Sequence, residues 1–278
     1  MLFVREEKIM KKKFILLYLI SVICLLFVAC STPGNSADKN KAAILTETEM
    51  EQLYSDPESF KGRTVGIYGQ IFSLQENDDG VTYLSVWTDP ENSERNILIT
   101  CSQPDSTVKN GDCVRVTGTV QGTAEGENAS AVSENAPSIL ADSTEIVDYT
   151  EAFSPALYTY RFRNKVQKQH GYSVKVTKVE LAEKETRVYL TVKNNGSDKF
   201  SLYSYDSILT QDNEKFEEQI NFYADYPEIR NYLNTGESCD GIICFPAIEN
   251  SDFKLILEGS SENYDETFEP FTFDIPLN

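Results

Sequence analysis

Histidine, the residue that most often carries out acid–base catalysis at neutral pH, is nearly absent from this chain. The chain has 278 residues and contains a single histidine, His170. A serine nucleophile needs a histidine as its base, and His170 has no partner residue in its neighbourhood of the sequence. We therefore interpret it as an ordinary exposed histidine. Paired carboxylates remain an alternative in a chain with 44 acidic residues, but no motif marks such a pair.

One acidic segment and the spacing of the cysteines bear on metal binding. Residues 76–80 read Glu-Asn-Asp-Asp-Gly and group the hard oxygen ligands that attract Ca²⁺. They lack the spaced acids and the distal Glu of a calcium-binding loop, so a solvated β-turn is the favoured interpretation. The cysteines show neither CxxC nor Cys/His spacing, which argues against a zinc site. We predict no metal, and no cofactor apart from the lipid considered below.

The sequence contains six cysteines: Cys24, Cys30, Cys101, Cys113, Cys239 and Cys244. Cys239 and Cys244 lie five residues apart on a predicted strand, about 16 Å at strand rise, so they need an intervening turn to bridge. Cys101 ends one predicted strand and Cys113 begins the next. Cys101 shares a strand face with Ile97 and Ile99, whereas Cys113 shares a face with Arg115, so it is doubtful that the two cysteines face each other. Two alternatives remain for this pair, a disulfide or free buried thiols.

The first thirty residues carry the most specific pattern in the chain. Residues 11–13 are lysines, residues 14–29 carry no charge, and Cys30 follows directly. At about 1.5 Å per residue, the uncharged run spans about 24 Å, less than the roughly 30 Å of the hydrocarbon core. The pattern is therefore typical of a cleaved export signal covering residues 1–29. Met10 is an alternative start to Met1, because a lysine run follows it at once.

The ending Val28-Ala29-Cys30 resembles the lipobox of bacterial lipoproteins. This resemblance implies that signal peptidase II cleaves between Ala29 and Cys30. It also implies that Cys30 carries diacylglycerol, with acyl chains such as palmitate. Phe27 stands where leucine is usual. The alternative is an uncleaved N-terminal anchor helix, and both interpretations place the rest of the chain on the extracytoplasmic face of the cell membrane.

The charge balance restricts the class of partner. The chain has 25 basic and 44 acidic residues and a formal net charge of −19. Residues 1–29 contain five basic and two acidic residues, so their loss leaves a net charge of −22. Such a body is repelled from nucleic acid and from anionic lipid, so we expect it to project outward and to meet neutral or cationic partners.

Residues 30–44 form a predicted flexible tether, since they lack hydrophobic periodicity and are rich in Ser, Asn, Lys and Ala. A first domain is predicted over residues 45–149. It opens with a capping Thr46 followed three places later by Glu49. Met50, Leu53 and Tyr54 then recur at helical spacing, which predicts a short amphipathic helix.

Five strand-like runs follow the helix, separated by Gly, Asn, Asp and Pro. They cover residues 64–73, 81–88, 95–101, 112–121 and 138–147. Val65, Ile67 and Ile71 share one face of the first run, as in a strand with one buried side. Gly69 and Gly118 lie inside strands, where a barrel bends sharply or two backbones approach closely. Five short strands predict a small barrel.

Residues 61–71 (KGRTVGIYGQI) and 110–120 (NGDCVRVTGTV) resemble the paired strand motifs of exported OB-fold domains of the anticodon-binding type. Many OB-folds bind nucleic acid through a basic groove with stacking aromatics. Basic residues are sparse here, so we expect no nucleic acid. The aromatic residues Tyr68, Tyr83 and Trp87 are candidates for a face that binds peptide, sugar or protein. The alternative is that they pack in the core or on a neighbour.

Residues 150–171 are interpreted as the connection between two domains. The second half of this segment is basic and contains Arg161, Arg163, Lys165, Lys168 and His170. These cations could hold an acidic surface of either domain or contact anionic lipid headgroups. The simpler interpretation is a solvated linker or a short helix.

Residues 172–278 are predicted to form a second all-β domain. Val188, Leu190 and Val192 alternate before an Asn-Gly turn. Further strands are expected at 207–211, 239–245, 253–258 and 269–275, and this count suits a two-sheet sandwich.

Residues 188–196, 209–216 and 233–245 resemble the immunoglobulin-like domain of unknown function found on lipoproteins of Gram-positive bacteria. That domain is akin to the mycobacterial immunoprotective extracellular protein. The resemblance implies no enzymatic activity. The expected fold class is therefore all-β, with a five-stranded OB-like barrel, a short N-terminal helix and an immunoglobulin-like sandwich.

Two functions from different classes follow. The first is a membrane-anchored lipoprotein that acts as a non-enzymatic binding or scaffolding module for an envelope protein, peptide or glycan. The second is an envelope hydrolase whose carboxylates converge only in the folded chain. The two differ in whether several acids with raised pKa values meet in one pocket.

Overall fold

The computed structural model describes residues 42–77, 80–93, 95–102 and 107–277.

The helix α1, Glu47–Ser55, begins where the capping pattern predicts it. The Thr46 hydroxyl oxygen accepts from the backbone N–H of Glu49, and the Glu49 carboxylate accepts from the backbone N–H of Thr46 at 3.0 Å. Met50 and Leu53 turn to the interior and close one end of the barrel.

Five strands form a closed barrel. They are β1 (Thr64–Glu76), β2 (Thr82–Trp87), β3 (Asn96–Cys101), β4 (Cys113–Thr123) and β5 (Pro137–Val147). Their order is β1-β2-β3-β5-β4, closed between β4 and β1, and only the β3–β5 pair is parallel. Short 3₁₀ turns at Pro57–Phe60 and Glu127–Ala131 complete the domain. The predicted OB-like barrel is confirmed.

The barrel interior is filled by the apolar residues of the predicted alternation, including Val65, Ile67 and Ile71. The two strand glycines mark close approaches. A Cβ atom at Gly118 would lie 2.4 Å from the carbonyl oxygen of Leu140, and one at Gly69 would contact the side chain of Val86. No other residue fits at these positions without a shift of β5 or β2.

The connection after the barrel is shorter than the sequence indicates. It contains a single helical turn, α2 (Tyr149–Ala152), and is followed by strand β6 (Tyr158–Gln169). β6 pairs with β7 (Tyr172–Leu181) through a hairpin at His170 and Gly171, both with positive φ. The sandwich therefore starts near residue 158 rather than 172. The basic cluster belongs to an edge strand, whose mostly polar residues conceal its β-pattern.

Two four-stranded antiparallel sheets make up the sandwich. The remaining strands are β8 (Glu185–Asn194), β9 (Phe200–Gln211), β10 (Glu214–Glu217), β11 (Ser238–Pro246), β12 (Phe253–Ser261) and β13 (Phe271–Ile275). One sheet has the order β11-β8-β7-β6 and the other β10-β9-β12-β13. Apolar side chains of both sheets share one core, in which Tyr172 stacks on Phe200 at 4.7 Å between ring centroids. The predicted all-β fold class is confirmed.

The barrel and the sandwich belong to one compact unit that spans Ala42–Asn278. Within the described residues, none of the helices is both long and apolar enough to span a bilayer. The predicted signal segment, its cleavage site at Ala29 and Cys30, and the tether up to residue 41 lie outside the described residues. The last tether residues are described, and Ile44 forms a parallel bridge with Gly66 of β1.

Candidate functional site

A cleft of about 470 Å³ lies where the sandwich meets the barrel. The lining residues come from the barrel, the connection and the sandwich: Glu91, Phe153, Ser154, Pro155, Leu157, Glu183, Lys184, Glu185, Gln219, Ile220, Asn221, Phe222, Tyr223 and Phe245. Sites for small ligands and peptide side chains have this size, and they occur preferentially at domain junctions. We therefore treat this junction cleft as the candidate site.

A buried ion network supports the floor of the junction cleft. Arg187 of β8 is fully buried. Its Nη1 atom donates to Glu185 Oε1 at 2.5 Å and to the Ser154 hydroxyl at 2.8 Å. Its Nε atom donates to Glu180 Oε2 at 3.1 Å. Arg187 therefore joins two sandwich strands to the connection that arrives from the barrel.

Glu185 lines the cleft and is held ionised. Its carboxylate accepts hydrogen bonds from the Ser154 hydroxyl at 2.7 Å, from the Tyr226 hydroxyl at 2.6 Å and from Asn221 Nδ2 at 3.0 Å. Burial by itself raises the pKa of Glu185, but these bonds and the one from Arg187 outweigh it, so the pKa lies below the ordinary value. Conversely, burial and the Glu185 charge raise the pKa of Tyr226.

Glu180 behaves in the same way on the other side of Arg187. Burial raises its pKa, but hydrogen bonds from Lys178 and from the Tyr189 hydroxyl outweigh burial and lower it. A general acid needs a raised pKa near the working pH, and Glu180 and Glu185 have the opposite shift. Glu218 has a raised pKa, because of burial and Glu228, but it does not line the cleft.

The rim of the cleft exposes apolar side chains. Phe222 is 85% exposed, Leu157 63% and Ile220 57%. Contiguous exposed apolar surface of this kind marks interaction sites in soluble domains. An ion pair crosses the rim, with Lys184 Nζ of the sandwich 2.7 Å from Glu91 Oε2 of the barrel. The cleft thus presents an apolar rim above a charged floor whose charges are already paired.

A sandwich segment at residues 219–226 attaches to the barrel beside the cleft. Gln70 Nε2 of β1 donates to the carbonyl oxygen of Tyr223 at 2.9 Å, and the Tyr223 hydroxyl donates to the carbonyl oxygen of Glu91 at 3.4 Å. Tyr226 packs edge-on against Tyr149 of α2, with 6.2 Å between ring centroids. These contacts hold both walls of the cleft in place.

The predicted aromatic face lies on the outside of the barrel, next to this attachment. Tyr68, Tyr83 and Trp87 are all half-buried. Trp87 lies opposite Gln70 in the β1–β2 register and stacks on Phe72 at 4.4 Å between ring centroids. Tyr83 stands four residues before Trp87 on β2, about 13 Å away at strand rise. The three rings are therefore outside the core, but Tyr83 stands apart, and a binding role for them stays a prediction.

Tyr68 has its own contacts on the barrel surface. Its hydroxyl donates to Glu151 Oε1 at 3.3 Å, and the guanidinium of Arg115 lies 5.9 Å from its ring centroid. None of the three predicted aromatic residues lines the junction cleft. The part of the predicted face nearest the cleft, around Gln70, is partly covered by the segment that carries Tyr223.

All four described cysteines are free thiols. Cys101 and Cys113 lie on β3 and β4, which are not neighbours because β5 separates them in the barrel. The structure thus corresponds to the free-thiol alternative rather than to a Cys101–Cys113 disulfide. Burial, with added repulsion from Asp112 and Asp148, raises the pKa of Cys113 to about 11, so this thiol is poorly reactive at neutral pH.

The acidic segment at residues 76–80 is only partly described, because Asp78 and Asp79 lie outside the described residues. The side-chain oxygen of Asn77 accepts the backbone N–H of Val81 at 2.9 Å, and the backbone N–H of Asn77 donates to the carbonyl oxygen of Val81 at 3.0 Å. Across the described ranges, no three His, Cys, Asp or Glu side chains are grouped to hold a metal ion.

The residues of the cleft carry little signal in the sequence. Ile220 and Phe222 lie in a stretch between β10 and β11 that has no periodicity. Arg187 occupies a position of β8 that alternates with apolar residues, as a solvent-facing residue does. Its burial follows from the segment around Tyr226, which folds over it.

Comparison with known proteins yields matches only among solved structures. No family model matches the chain, and no curated protein matches it. A putative lipoprotein (ycdA) from Bacillus subtilis matches with 19% identity and a TM-score of 0.34, over 41% of this chain and 39% of that one. An aspartyl-tRNA synthetase from Entamoeba histolytica matches with 11% identity and a TM-score of 0.30, over 43% of this chain and 24% of that one. The chain thus spans less than half the length of either structure, and similarity this low carries no function over.

Proposed function

We propose that this chain is an extracytoplasmic lipoprotein, anchored through diacylglycerol on Cys30, that binds an envelope protein, peptide or glycan without catalysing a reaction. The observation that carries the binding role is the apolar rim of the junction cleft, where Phe222 is 85% exposed. A large aromatic side chain left in water contributes little to folding and much to contact with a partner. The anchor rests on the lipobox-like sequence ending at Cys30.

The charges of the cleft favour binding over catalysis. Glu185 has a lowered pKa and already accepts hydrogen bonds from four side chains, so it has no proton to give and little capacity to take one. The lining residues include no histidine, cysteine or second buried acid beside it. An envelope hydrolase with converging carboxylates is therefore the less favoured alternative.

The rim favours a partner with an apolar side chain and little negative charge. Leu157, Ile220 and Phe222 can surround one aliphatic or aromatic group, while Lys184 is already paired with Glu91. Glu183 adds an exposed carboxylate beside them. A neutral or cationic peptide segment fits this combination better than a polyanion.

The test is capture of envelope components by the immobilised unit of residues 42–278. Phe222→Ala is expected to reduce the captured partner about tenfold or more, as loss of a central aromatic contact does. Tyr264→Ala is the matched control, because Tyr264 is 99% exposed elsewhere on the sandwich. Equal capture by both variants and by the unchanged chain would refute the cleft as the binding site.

A further inference from the structure

Positive charge is concentrated on one surface of this acidic chain. Besides Lys178 and Arg187, which pair with Glu180, the outer face of the sheet β11-β8-β7-β6 carries five basic side chains on its strands β6, β7 and β8. We call this surface the basic face: Arg161, Arg163, Lys168, Lys175 and Lys193. Lys193 lies six residues from the buried Arg187 along β8, about 20 Å at strand rise, so the basic face is distinct from the junction cleft.

The strand register brings these cations into adjacent rows. Lys168, Ser173 and Lys193 lie opposite one another across β6, β7 and β8. Val166, Lys175 and Thr191 form the next row. Because neighbouring strands are about 4.8 Å apart, the backbones at Lys168 and Lys193 are about 10 Å apart, and Lys175 lies at the centre of the next row. All of the five cations except Arg161 line a shallow depression of about 580 Å³.

These cations have no counter-ions within the described residues. Lys178, Lys184, Lys199 and Lys254 each form an ion pair, whereas none of the five residues of the basic face does. The bordering acids are already engaged: Glu180 pairs with Lys178 and Arg187, and Asp240 accepts from the Thr191 hydroxyl. Like charges this close repel one another, and an external anionic surface relieves that repulsion.

The shape of the basic face suits a broad surface. It is an open sheet face rather than an enclosed pocket, and Val166, 42% exposed, stands among the cations. An apolar side chain amid lysines and arginines is the combination that anionic lipid headgroups accept. A soluble anion would make use of the charges but not of Val166.

We propose that the basic face docks on the anionic phospholipid surface to which the chain is anchored. The proposal rests on the lipid anchor of the proposed function, because a tether at Cys30 keeps the sheet at high effective concentration near the bilayer. The net charge of −22 that remains after loss of residues 1–29 does not prevent this. At physiological salt the screening length is about 8 Å, so the membrane interacts mainly with the charges that face it.

The experiment uses residues 42–278, the compact unit, without lipid, so that binding does not depend on modification of Cys30. Its co-sedimentation is measured with vesicles of equal parts phosphatidylglycerol and phosphatidylcholine, and with pure phosphatidylcholine. We expect binding to the anionic vesicles alone. Lys168→Glu/Lys175→Glu/Lys193→Glu is expected to weaken it by about tenfold or more, because each cation near an anionic surface contributes to attraction.

The matched control makes the same change of charge on other surfaces, with Lys61→Glu/Lys109→Glu/Lys215→Glu, all three being exposed. This variant should retain most of the binding. Equal weakening in both variants, or equal binding to neutral vesicles, would overturn the proposal.

Salt provides a measurement that needs no variant. Raising the salt from about 50 mM to about 500 mM should release the unchanged protein, because it shortens the screening length severalfold. Binding that persists at high salt contradicts electrostatic docking. Incorporation of labelled fatty acid at Cys30 is assayed separately, so the failure of docking and the failure of the anchor are distinguishable.

Discussion

Arg187 Nη1 lies 2.5 Å from Glu185 Oε1, and the side chains of both residues are buried. Both come from β8, two positions apart, but their shared partner Ser154 belongs to the connection from the barrel. Burying two charges is costly, and their attraction offsets that cost only when further hydrogen bonds satisfy both groups. The Ser154, Asn221 and Tyr226 side chains supply those bonds to Glu185, whereas the buried Nη2 atom of Arg187 has no hydrogen-bond partner among the described residues. Through Ser154, the pair links the connection from the barrel to β8.

Replacing Arg187 with Met should destabilise the chain strongly. It leaves the Glu185 carboxylate buried without a cation, a change that costs about 3–5 kcal/mol. Denaturant unfolding of residues 42–278 measures this loss. Lys184→Met, which removes an exposed cation nearby, should cost no more than about 1 kcal/mol. The double variant Glu185→Gln/Arg187→Met should recover part of the loss, and a loss below 1 kcal/mol in Arg187→Met would contradict this account.

Stability should fall in acid because of Glu180 and Glu185. The pKa of each is lowered in the folded chain from an ordinary value of 4.5, so the unfolded state binds protons first as the pH drops. Their contribution is complete above about pH 5 and is lost as the pH falls through the folded-state pKa. Unfolding free energies measured between about pH 7 and pH 3 test this. Glu185→Gln should show a shallower decline, and an unchanged slope would contradict the assignment.

Strand β6 should be necessary for a stable sandwich. Tyr160 and Phe162 pack against the sandwich core, and Lys165 Nζ donates to the carbonyl oxygen of Asp274 at 2.7 Å in the opposite sheet. A fragment of residues 172–278 therefore loses core contacts and exposes the edge of β7, which favours aggregation. A fragment of residues 153–278 should unfold cooperatively at higher denaturant. Equal midpoints for the two fragments would show that β6 is dispensable.

The sequence predicts the barrel better than the junction. Strands such as β1 and β4 bury the apolar residues of one face and carry mostly Gly, Thr and polar or aromatic residues on the other, so their apolar residues alternate and their bounds are predicted within a few residues. β6 lies at a sheet edge with few buried positions, and its basic residues suggest a linker. β10 has only four residues and an exposed pattern.

The cleft depends on contacts between segments that are distant in sequence. Gln70 and Tyr223 are 153 positions apart, and no local pattern predicts that they meet. Arg187 alternates with Val188 and Leu190 as an ordinary outward residue does, but in the folded chain the connection at Ser154 and the segment around Tyr226 bury it. The predicted aromatics Tyr68 and Trp87 are half-buried on the outside of the barrel, and their role in contact with a partner stays a prediction. Strand alternation predicts the face of the strand on which each side chain lies, but it does not predict how far these residues lie from the apolar rim of the cleft.

Replacing Cys30 with Ala should abolish the lipid anchor. A thioether-linked diacylglycerol requires the Cys30 sulfur, so the variant should incorporate no labelled fatty acid and should be processed or released differently. Cys24→Ala is the matched control, because Cys24 lies within the apolar run and should leave labelling unchanged. Fatty acid incorporated at wild-type levels by Cys30→Ala would show that the lipoprotein proposal is wrong.

Gly118 of β4 should tolerate no side chain, because β5 passes directly over it. A Cβ atom there would lie 2.4 Å from the carbonyl oxygen of Leu140, a backbone atom that cannot move without disturbing the β4–β5 pairing, which is already irregular at this point. Gly118→Ala is expected to lower the free energy of unfolding by about 1–3 kcal/mol, as overpacking does. Thr119 is the next residue of the same strand and is half-buried. Thr119→Ala removes atoms rather than adding them, so it should lower the free energy of unfolding by less. Thermal and denaturant unfolding of the two variants measures this difference. A Gly118→Ala midpoint equal to that of the unchanged chain would mean that the backbone of β5 shifts to accommodate the added methyl group at little cost.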